Sequence, residues 1–467
     1  MARRSSSLGW LATVAVLGAC SGSPTGTTDG GGGGDDGGIL PGFDAPPPTG
    51  LFPLGVAADG ATLVTGEGKP FLLHAEAAWS LIVRLNTADA MRYLADRKGR
   101  GVNAILVNLI EHKYADRAPR NAAGDAPFTT AGDFSRPNEA YFAHADQVID
   151  LAASQGMVVM LTPSYLGYSG GDEGWFQEMQ SLGVPPATKC RQYGDFLGQR
   201  YASKHNIIWV WGGDFTPPSG SNGETCMKSV RDGIRAAQPS VLASAHWSPE
   251  TTSRDEAAFT GSINLVGVYT YQSIMPACRT ARMASARMPT YLLETCYEHE
   301  TIQGCAATTA NVRRRQWWGL LGCGAGEIVG VNPVWLFGLG WQDQLASPVS
   351  LGEARLAALA HQVAWQTLEL DDALITNGRS TSGSVAEIAA ARTADHKQAL
   401  IYIPPDGSST ITVDLTRMAG PVTATWQDPT ADKSVAVGTG LTGSKQLTTP
   451  GNNDGGDHDW VLVLDVP

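Results

Sequence analysis

From residue 51 to 372, short apolar runs alternate with stretches in which apolar residues recur every three or four positions. The runs are FLLHAEAAW (71–79), VNAILVNLI (102–110), MVVMLTP (157–163), NIIWVWGGD (206–214), VLASAHW (241–247), NLVGVYTY (264–271), TYLLETCY (290–297) and EIVGVNPVW (327–335). Near-continuous apolar character fits strands covered on both faces, as in a parallel sheet sheathed by helices. Helical periodicity falls at 87–100, 139–155, 190–204, 226–238, 308–321 and 352–369, and Asn86-Thr87-Ala88-Asp89 supplies cap chemistry for the first. Eight such units predict an α/β fold, a (β/α)8 TIM barrel over 51–372. The texture then changes to short alternating runs (AEIAAAR, QALIYIP, TITVDL, VTATWQD, DWVLVLD) between Pro/Gly/Asn-rich turns. These predict a small antiparallel β-sandwich domain over 373–467, docked rigidly because no Gly/Ser linker intervenes.

The first 50 residues have no such pattern. Arg3 and Arg4 precede an apolar run, Leu8 to Ala19, too short to cross a bilayer. Residues 1–20 therefore read as a signal peptide ending in a lipobox, Leu17-Gly18-Ala19-Cys20, with Cys20 the lipidated residue. Residues 22–42 contain ten glycines, so 21–50 read as a flexible tether. Export to the outer membrane or cell surface is expected, with membrane contact only through the Cys20 lipid. The six remaining cysteines, Cys190, Cys226, Cys278, Cys296, Cys305 and Cys323, are an even set for disulfides. Cys190 with Cys226 and Cys296 with Cys305 are plausible pairs among fifteen possible pairings. The net charge of −12 disfavours nucleic acid. No phosphate-loop or Cys-x-x-Cys pattern is present, so neither cofactor nor metal is expected, and a monomer acting on carbohydrate is.

In a (β/α)8 barrel the chemistry gathers at the C-terminal ends of the strands. Those ends carry Glu76 and Trp79, then Asn108, Glu111 and His112, then Tyr165. Next come Trp211 and Asp214, His246 and Trp247, Tyr271, Glu294 and Tyr297, and last Asn332 and Trp335. Asp214 follows an apolar strand and two glycines, and Glu294 interrupts an apolar run, where a carboxylate needs a partner or a function. The bland alternatives are a helix cap for Asp214 and an ion pair with one of Arg313 to Arg315 for Glu294. Carboxylates on strands 4 and 7 among aromatics suit glycosidic-bond hydrolysis. Of the tryptophans, Trp209 and Trp317 read as core, and Trp79, Trp247 and Trp335 as cleft.

GKPFLLHAEAAW with Leu85-Asn86, then GVNAILVNL, NIIWVWGGD, PTYLLETCYE and RRRQWWGLLGCGAGEIVGVNPVW, resembles the ordered motifs of the apiosidase-like glycoside hydrolases. The segment around ATWQDP is similar to the small C-terminal domain, labelled collagen-binding, that often follows them. The resemblance spans 51–467. It implies Asp214 as acid/base and Glu294 as nucleophile of a retaining reaction, with carboxyls about 5–5.5 Å apart. It also implies apiose-containing pectin as a candidate substrate. At strand 1 the family's Gly-Asp-Thr-Ala-Trp is replaced by Ala75-Glu76-Ala77-Ala78-Trp79. On electrostatic grounds Asp214 should be protonated, while Glu294, bonded by donors such as His246 or Tyr271, should stay ionised. Trp211 should help desolvate Asp214.

Three rivals are weaker. Gly167-Tyr168-Ser169-Gly170-Gly171 fits G-x-S-x-G, but no helix follows the serine as a nucleophile elbow requires. His299-Glu300-Thr301-Ile302-Gln303 lacks the second histidine of a zinc protease. A non-catalytic glycan-binding lipoprotein on a degenerate barrel is opposed by the retention of both Asp214 and Glu294.

Overall fold

The structure, a computed structural model, describes residues 48–182, 186–302 and 305–467. The expected signal peptide, Cys20 and nearly all of the tether lie outside the described residues. Eight parallel strands build the barrel. They are β1 Leu73–Ala77, β2 Ala104–Asn108, β3 Val158–Thr162, β4 Ile207–Gly212, β5 Ala243–His246, β6 Val266–Tyr269, β7 Thr290–Glu294 and β8 Gly326–Val329. Side chains alternate across them. Leu73, Ala75, Ala77, Leu106, Met160, Ile208 and Val210 fill the interior, whereas Ile105, Val107, Val159, Leu161 and Trp209 meet the helices.

The ladder runs unbroken from β5 through β1 and β8 to β6. Between β5 and β6 the seam is stapled. A two-residue strand, Thr251–Thr252, runs antiparallel to β6. The next residue, Ser253, donates its hydroxyl to Ala245 O (2.6 Å) and accepts the Gly267 N–H (2.8 Å).

The longer helices are α1 Thr87–Gly99, α2 Glu139–Ser154, α3 Pro186–Arg200, α4 Asn222–Ala237, α5 Ile274–Arg282, α6 Thr309–Trp318 and α7 Pro348–Ala360. Asn86 caps α1 by accepting the Asp89 N–H at 2.9 Å, as its sequence suggests. Three helices, α3, α4 and α7, begin about four residues earlier than periodicity predicts; the first turns of α3 and α4 are largely polar, and that of α7 opens on Pro348. α5 is too short for the period to register, and it carries Pro276 in its first turn.

Beyond the barrel lie β9 Leu368–Leu370, β10 Ile375–Asn377, β11 Ala389–Thr393, β12 Gln398–Ile403, β13 Thr410–Asp414, β14 Val422–Gln427, β15 Ser434–Leu441, β16 Ser444–Thr448 and β17 Trp460–Asp465. They form a six-stranded sheet in the order β9-β11-β12-β17-β14-β15 and a three-stranded sheet β10-β13-β16, all antiparallel. Strands β11, β12 and β17 of the larger sheet are largely buried on both faces. Ala390, Ile401 and Leu462 face the small sheet, while Ala389, Leu400 and Tyr402 pack against Trp317, Trp318 and Leu356 of the barrel. Trp317 stacks on Tyr402, with centroids 5.5 Å apart.

Arginines rim this interface. Arg313 forks onto Asp459 at 2.8 and 2.7 Å and also reaches Asp457 at 2.8 Å. Arg314 pairs with Asp406 at 2.6 Å, and Arg279 pairs with Asp372. Arginines 313 and 314 thus serve the second sheet, and the suggested pairing with Glu294 does not occur. On the barrel's outer wall, His74 sits between Glu327 (2.6 Å) and Glu353 (2.9 Å). Burial opposes its charge, but the two carboxylates outweigh it and hold the imidazole well above the usual histidine range.

Arg313→Ala should leave Asp459 buried without a counter-charge, held only by Tyr402 and Asn453, at a cost of about 3–5 kcal/mol. Calorimetry should show one cooperative transition for the two layers in the wild type. It should show a lower, split transition in the variant.

Candidate active site

The C-terminal mouth of the barrel is shaped by two departures from regular strand geometry. After β4, Gly212, Gly213 and Asp214 all take positive φ, at 93°, 117° and 61°. A Cβ at Gly212 would collide with His246 O and the Trp247 ring, and one at Gly213 with the Tyr165 ring. Only glycine fits there. The turn carries Asp214 over the barrel end. It also points the Asp214 N–H at His246 Nδ1, 3.1 Å away.

The second departure is a bulge. β7 pairs Leu292 with Val268 but Glu294 with Tyr269, so one extra residue enters β7. Tyr291 and Leu293 already face the interior, and strict alternation would send Glu294 outward. The bulge turns it in. Its Oε2 lies 2.8 Å from His246 Nε2, a close contact not aligned as a hydrogen bond.

Asp214 accepts the hydroxyls of Tyr269 (2.8 Å, Oδ1) and Tyr165 (3.1 Å, Oδ2). Tyr269 in turn meets the Tyr271 hydroxyl at 2.9 Å. Trp79 forms the floor. It stacks on His246 with centroids 5.4 Å apart and donates Nε1–H to the Tyr297 hydroxyl at 3.1 Å. Half-buried Trp335 packs on Tyr114 (5.4 Å), which packs on Tyr165 (4.8 Å), making one aromatic wall. Asn332 is half-buried on the same β8 loop.

Burial pushes Glu294 up to about 8, with the nearby Tyr297 hydroxyl acting the other way. Burial and the Glu294 charge push Asp214 up to about 7, opposed by the tyrosine donors. Burial lowers His246 to about 4, so it is neutral. The expectation that Glu294 alone stays ionised needs correction: both carboxyls are raised, and Tyr271 bonds Tyr269 rather than Glu294.

Other expected site residues are engaged elsewhere. Glu76 lies on the helix-facing side of β1, where it accepts from Tyr93 (2.7 Å) and sits 2.8 Å from Arg97 Nε. Trp211 faces the helices too, stacked on Trp209 and donating to Ser262 O at 3.2 Å. It therefore cannot desolvate Asp214 from the cleft side. Trp247 is buried on Phe259 and donates to Ser253 O at 3.2 Å. His112 is held between Glu178 (2.7 Å) and Asp172 O (2.7 Å). Asn108 and Glu111 are fully buried beside Ser80 beneath the mouth, and burial raises Glu111 to about 7.

Three mouth residues were not expected: Tyr114, Glu173 and Glu300. All lie on loops, where periodicity is silent. Tyr269, at the end of an expected strand, was legible. The disulfides are Cys190–Cys226, Cys296–Cys305 and Cys278–Cys323, and the first two are the suggested pairs. At the opposite barrel end, a cavity of about 260 Å³ lined by Val158, Asn206 and Ile207 holds no carboxylate, so it offers no comparable chemistry.

A carboxyl whose folded pKa is raised stabilises the protein fully below its unfolded pKa and loses that stabilisation as pH rises through the folded value. For Asp214 and Glu294 the window runs from about pH 4 to the folded values of about 7 and about 8. The melting temperature should therefore fall across this window. Asp214→Asn and Glu294→Gln should each flatten the fall. An unchanged slope in both would show the carboxyls are not strained by burial.

Residues 57–368 match the family described as "Apiosidase-like, catalytic domain". Residues 371–465 match the "Putative collagen-binding domain of a collagenase". No curated protein matches the chain by sequence. Among solved structures, one titled "Glycoside hydrolase" is 20% identical over 89% of this chain and 97% of its own, with a TM-score of 0.74. A family 5 glycoside hydrolase from Bacteroides vulgatus is 21% identical over 88% and 93%, also with a TM-score of 0.74. These two structures share the fold, and the family match spans the whole barrel. The chain belongs to the apiosidase-like glycoside hydrolases.

Proposed function

We propose that the mouth of the barrel hydrolyses glycosidic bonds with retention of anomeric configuration. Asp214 protonates the leaving oxygen and then activates water, and Glu294 attacks the anomeric carbon. The observation that carries this is the pair of buried carboxyls at the ends of β4 and β7, set against one neutral imidazole inside an aromatic wall. One proton shared by the pair gives an acid and a nucleophile together. The tyrosine wall suits the apolar faces of sugar rings. The family match supports a plant cell-wall glycan, including apiose-containing pectin, as the substrate. Display on the cell surface through a lipid at Cys20 would suit a polymer too large to import, and fatty-acid labelling lost in Cys20→Ser tests that display.

Glu294→Gln should lower kcat by at least about 10³-fold with the fold intact, while Asp214→Asn should spare substrates with good leaving groups. Azide added to Glu294→Ala should give a glycosyl azide of inverted configuration. Proton NMR of the first-formed product should show the starting anomer, and release of the opposite anomer would overturn the assignment. The kcat/KM profile should be bell-shaped, with both limbs above the ordinary carboxylate range because both carboxyls are raised.

A further inference from the structure

The loop after β3 closes tightly on itself beside Asp214. A Cβ at Gly167 would collide with Gly171 O and Gly174 N, and one at Gly174 with Gly167 N and Leu166. Gly167 takes φ of 92° and Ser169 of 55°. Trp175 then donates its N–H to Tyr165 O at 2.8 Å, which seals the turn. The G-x-S-x-G stretch is thus a folded glycine loop, and the group it sets beside Tyr165 is the half-buried Glu173. The Glu173 carboxylate accepts the Tyr168 N–H on Oε1 at 2.6 Å, and its backbone oxygen accepts the Lys113 N–H at 3.1 Å.

The same Oε1 lies 3.4 Å from the Tyr165 hydroxyl, which lies 3.1 Å from Asp214 Oδ2. A phenol has one hydrogen, and two carboxyls compete for this one. Asp214 Oδ1 is held differently. It accepts the Tyr269 hydroxyl at 2.8 Å, and the other partner of that hydroxyl is the neutral Tyr271, 2.9 Å away. The two oxygens of Asp214 are therefore unequal: Oδ1 keeps the shorter bond, and the donor on Oδ2 has a carboxylate as its alternative.

Several other charges face this chain of groups. On the β2 loop, Lys113 pairs with Asp172 at 2.9 Å, His112 with Glu178 at 2.7 Å, and Arg84 of the β1 loop with Asp116 at 3.0 Å. Arg117 and Arg120 on the same β2 loop are exposed, and Arg120 donates to Gly124 O at 2.8 Å. The Tyr114 ring covers Tyr165 at 4.8 Å. Glu294, His246 and Glu300 interact with the Asp214 charge from β5, β7 and the loop beyond. Burial raises Glu173 above the ordinary carboxylate range, with the Tyr168 N–H and the Tyr165 hydroxyl acting the other way and Asp172 adding to the rise.

We propose that Glu173 is a positioning residue for the acid/base: it accepts the Tyr165 hydroxyl while Asp214 carries its proton on Oδ2, and yields it to Asp214 once that proton has left. The proposal rests on the hydrolytic reading of the cleft and adds how one side chain serves first as acid and then as base. As the glycosidic bond breaks, the Oδ2 proton passes to the leaving oxygen. The phenol turns about its C–O bond, and its hydrogen moves from Glu173 Oε1 to the new anion. When water attacks, Oδ2 takes up a proton from it and the phenol turns back. No proton enters or leaves the Tyr165–Glu173 pair, so charge balances at each step. Without the second acceptor the hydroxyl would stay on Oδ2 throughout, favour the anion and weaken the acid.

Two variants separate the oxygen from the charge. Glu173→Gln keeps an oxygen, which the Tyr168 N–H holds in the place of Oε1, and loses the charge. Glu173→Asp keeps the charge and withdraws the oxygen by one methylene. The substrates are aryl apiosides, galactosides and arabinosides with leaving groups from 2,4-dinitrophenol to phenol. Glu173→Asp should lower kcat/KM about tenfold for phenyl glycosides and little for dinitrophenyl ones. The basic limb of its pH profile should move about one pH unit lower, because the acid is lost sooner. Glu173→Gln should keep most of the activity on both. In a Tyr165→Phe background, Glu173→Asp should add nothing, since the bond it acts through is gone. Carbon-13 NMR of protein labelled at the aspartate carboxyls, with the Asp214 signal assigned by Asp214→Asn, follows the same titration without substrate. Melting temperatures check folding. An Asp214 titration unmoved in Glu173→Asp, equal effects of Asp and Gln, or additivity with Tyr165→Phe would each overturn the proposal and leave hydrolysis intact. A shifted titration with no turnover of any aryl glycoside would sustain the hydrogen-bond switch and refute the hydrolytic role.

Discussion

Two carboxyls buried within electrostatic reach of each other and without a cation are expensive, and most of the mouth is arranged to hold them. Asp214 and Glu294 come from opposite sides of the barrel and cannot both be ionised at low cost. The cage that surrounds them is neutral: the Tyr165 and Tyr269 hydroxyls on Asp214, and His246 and Tyr297 at Glu294. An arginine here would lower both pKa values and leave two permanent anions, with no acid at neutral pH. Arg315, the nearest candidate by sequence, is instead spent on Thr295 and the Tyr271 carbonyl. Burial and the adjacent Arg314 pull it down to about 10.

That placement ties the second layer to the chemistry. α6 presents three consecutive arginines, and the helix geometry divides them. Arg313 and Arg314 reach outward to Asp459, Asp457 and Asp406 of the β-sandwich, while Arg315 turns inward to the backbone around β6 and β7. Trp317 and Trp318 on the same helix are buried against the six-stranded sheet. The sandwich therefore fixes the rotation of α6, and α6 fixes the ends of the strands that carry Tyr269 and Glu294. A domain without any residue in the cleft still takes part in positioning it.

Strand order, strand ends and the paired carboxyls were legible because they depend on apolar runs and on the rule that barrel chemistry gathers at one end. Side-chain direction was less so. Glu76 and Glu294 present the same signal, a glutamate closing an apolar strand, yet they face opposite ways. Glu76 follows the alternation of β1 outward to Arg97, and Glu294 escapes the alternation of β7 through the bulge. Nothing in TYLLETCY announces that bulge. Trp211 is different: with Ile208 and Val210 inside, counting by twos already places it among the helices. Tyr114 and Glu300 come from loops, whose course is set by contacts distant in sequence. The start of α4 was written in Ser221-Asn222-Gly223-Glu224. There the Ser221 hydroxyl accepts the Glu224 N–H at 3.1 Å and the Glu224 carboxylate accepts the Gly220 N–H at 2.5 Å.

The strained turn after β4 has a consequence for the opposite carboxyl. Gly212 and Gly213 take positive φ at little steric cost, so the strain of the turn falls on Asp214, at φ 61°, and such strain persists only where the surroundings enforce it. Here it aims the Asp214 N–H at His246 Nδ1, which must then be the unprotonated nitrogen. A histidine lowered to about 4 by burial carries only one ring proton at neutral pH. That proton is left on Nε2, facing Glu294. The backbone conformation of one carboxylate residue thus selects the imidazole tautomer that serves the other. A side chain at Gly213 would disturb both at once: it would push on Tyr165, which holds Asp214, and shift the N–H that fixes His246. The two glycines before Asp214 are accordingly part of the same electrostatic unit as Glu294, although they lie on a different strand and carry no chemistry of their own.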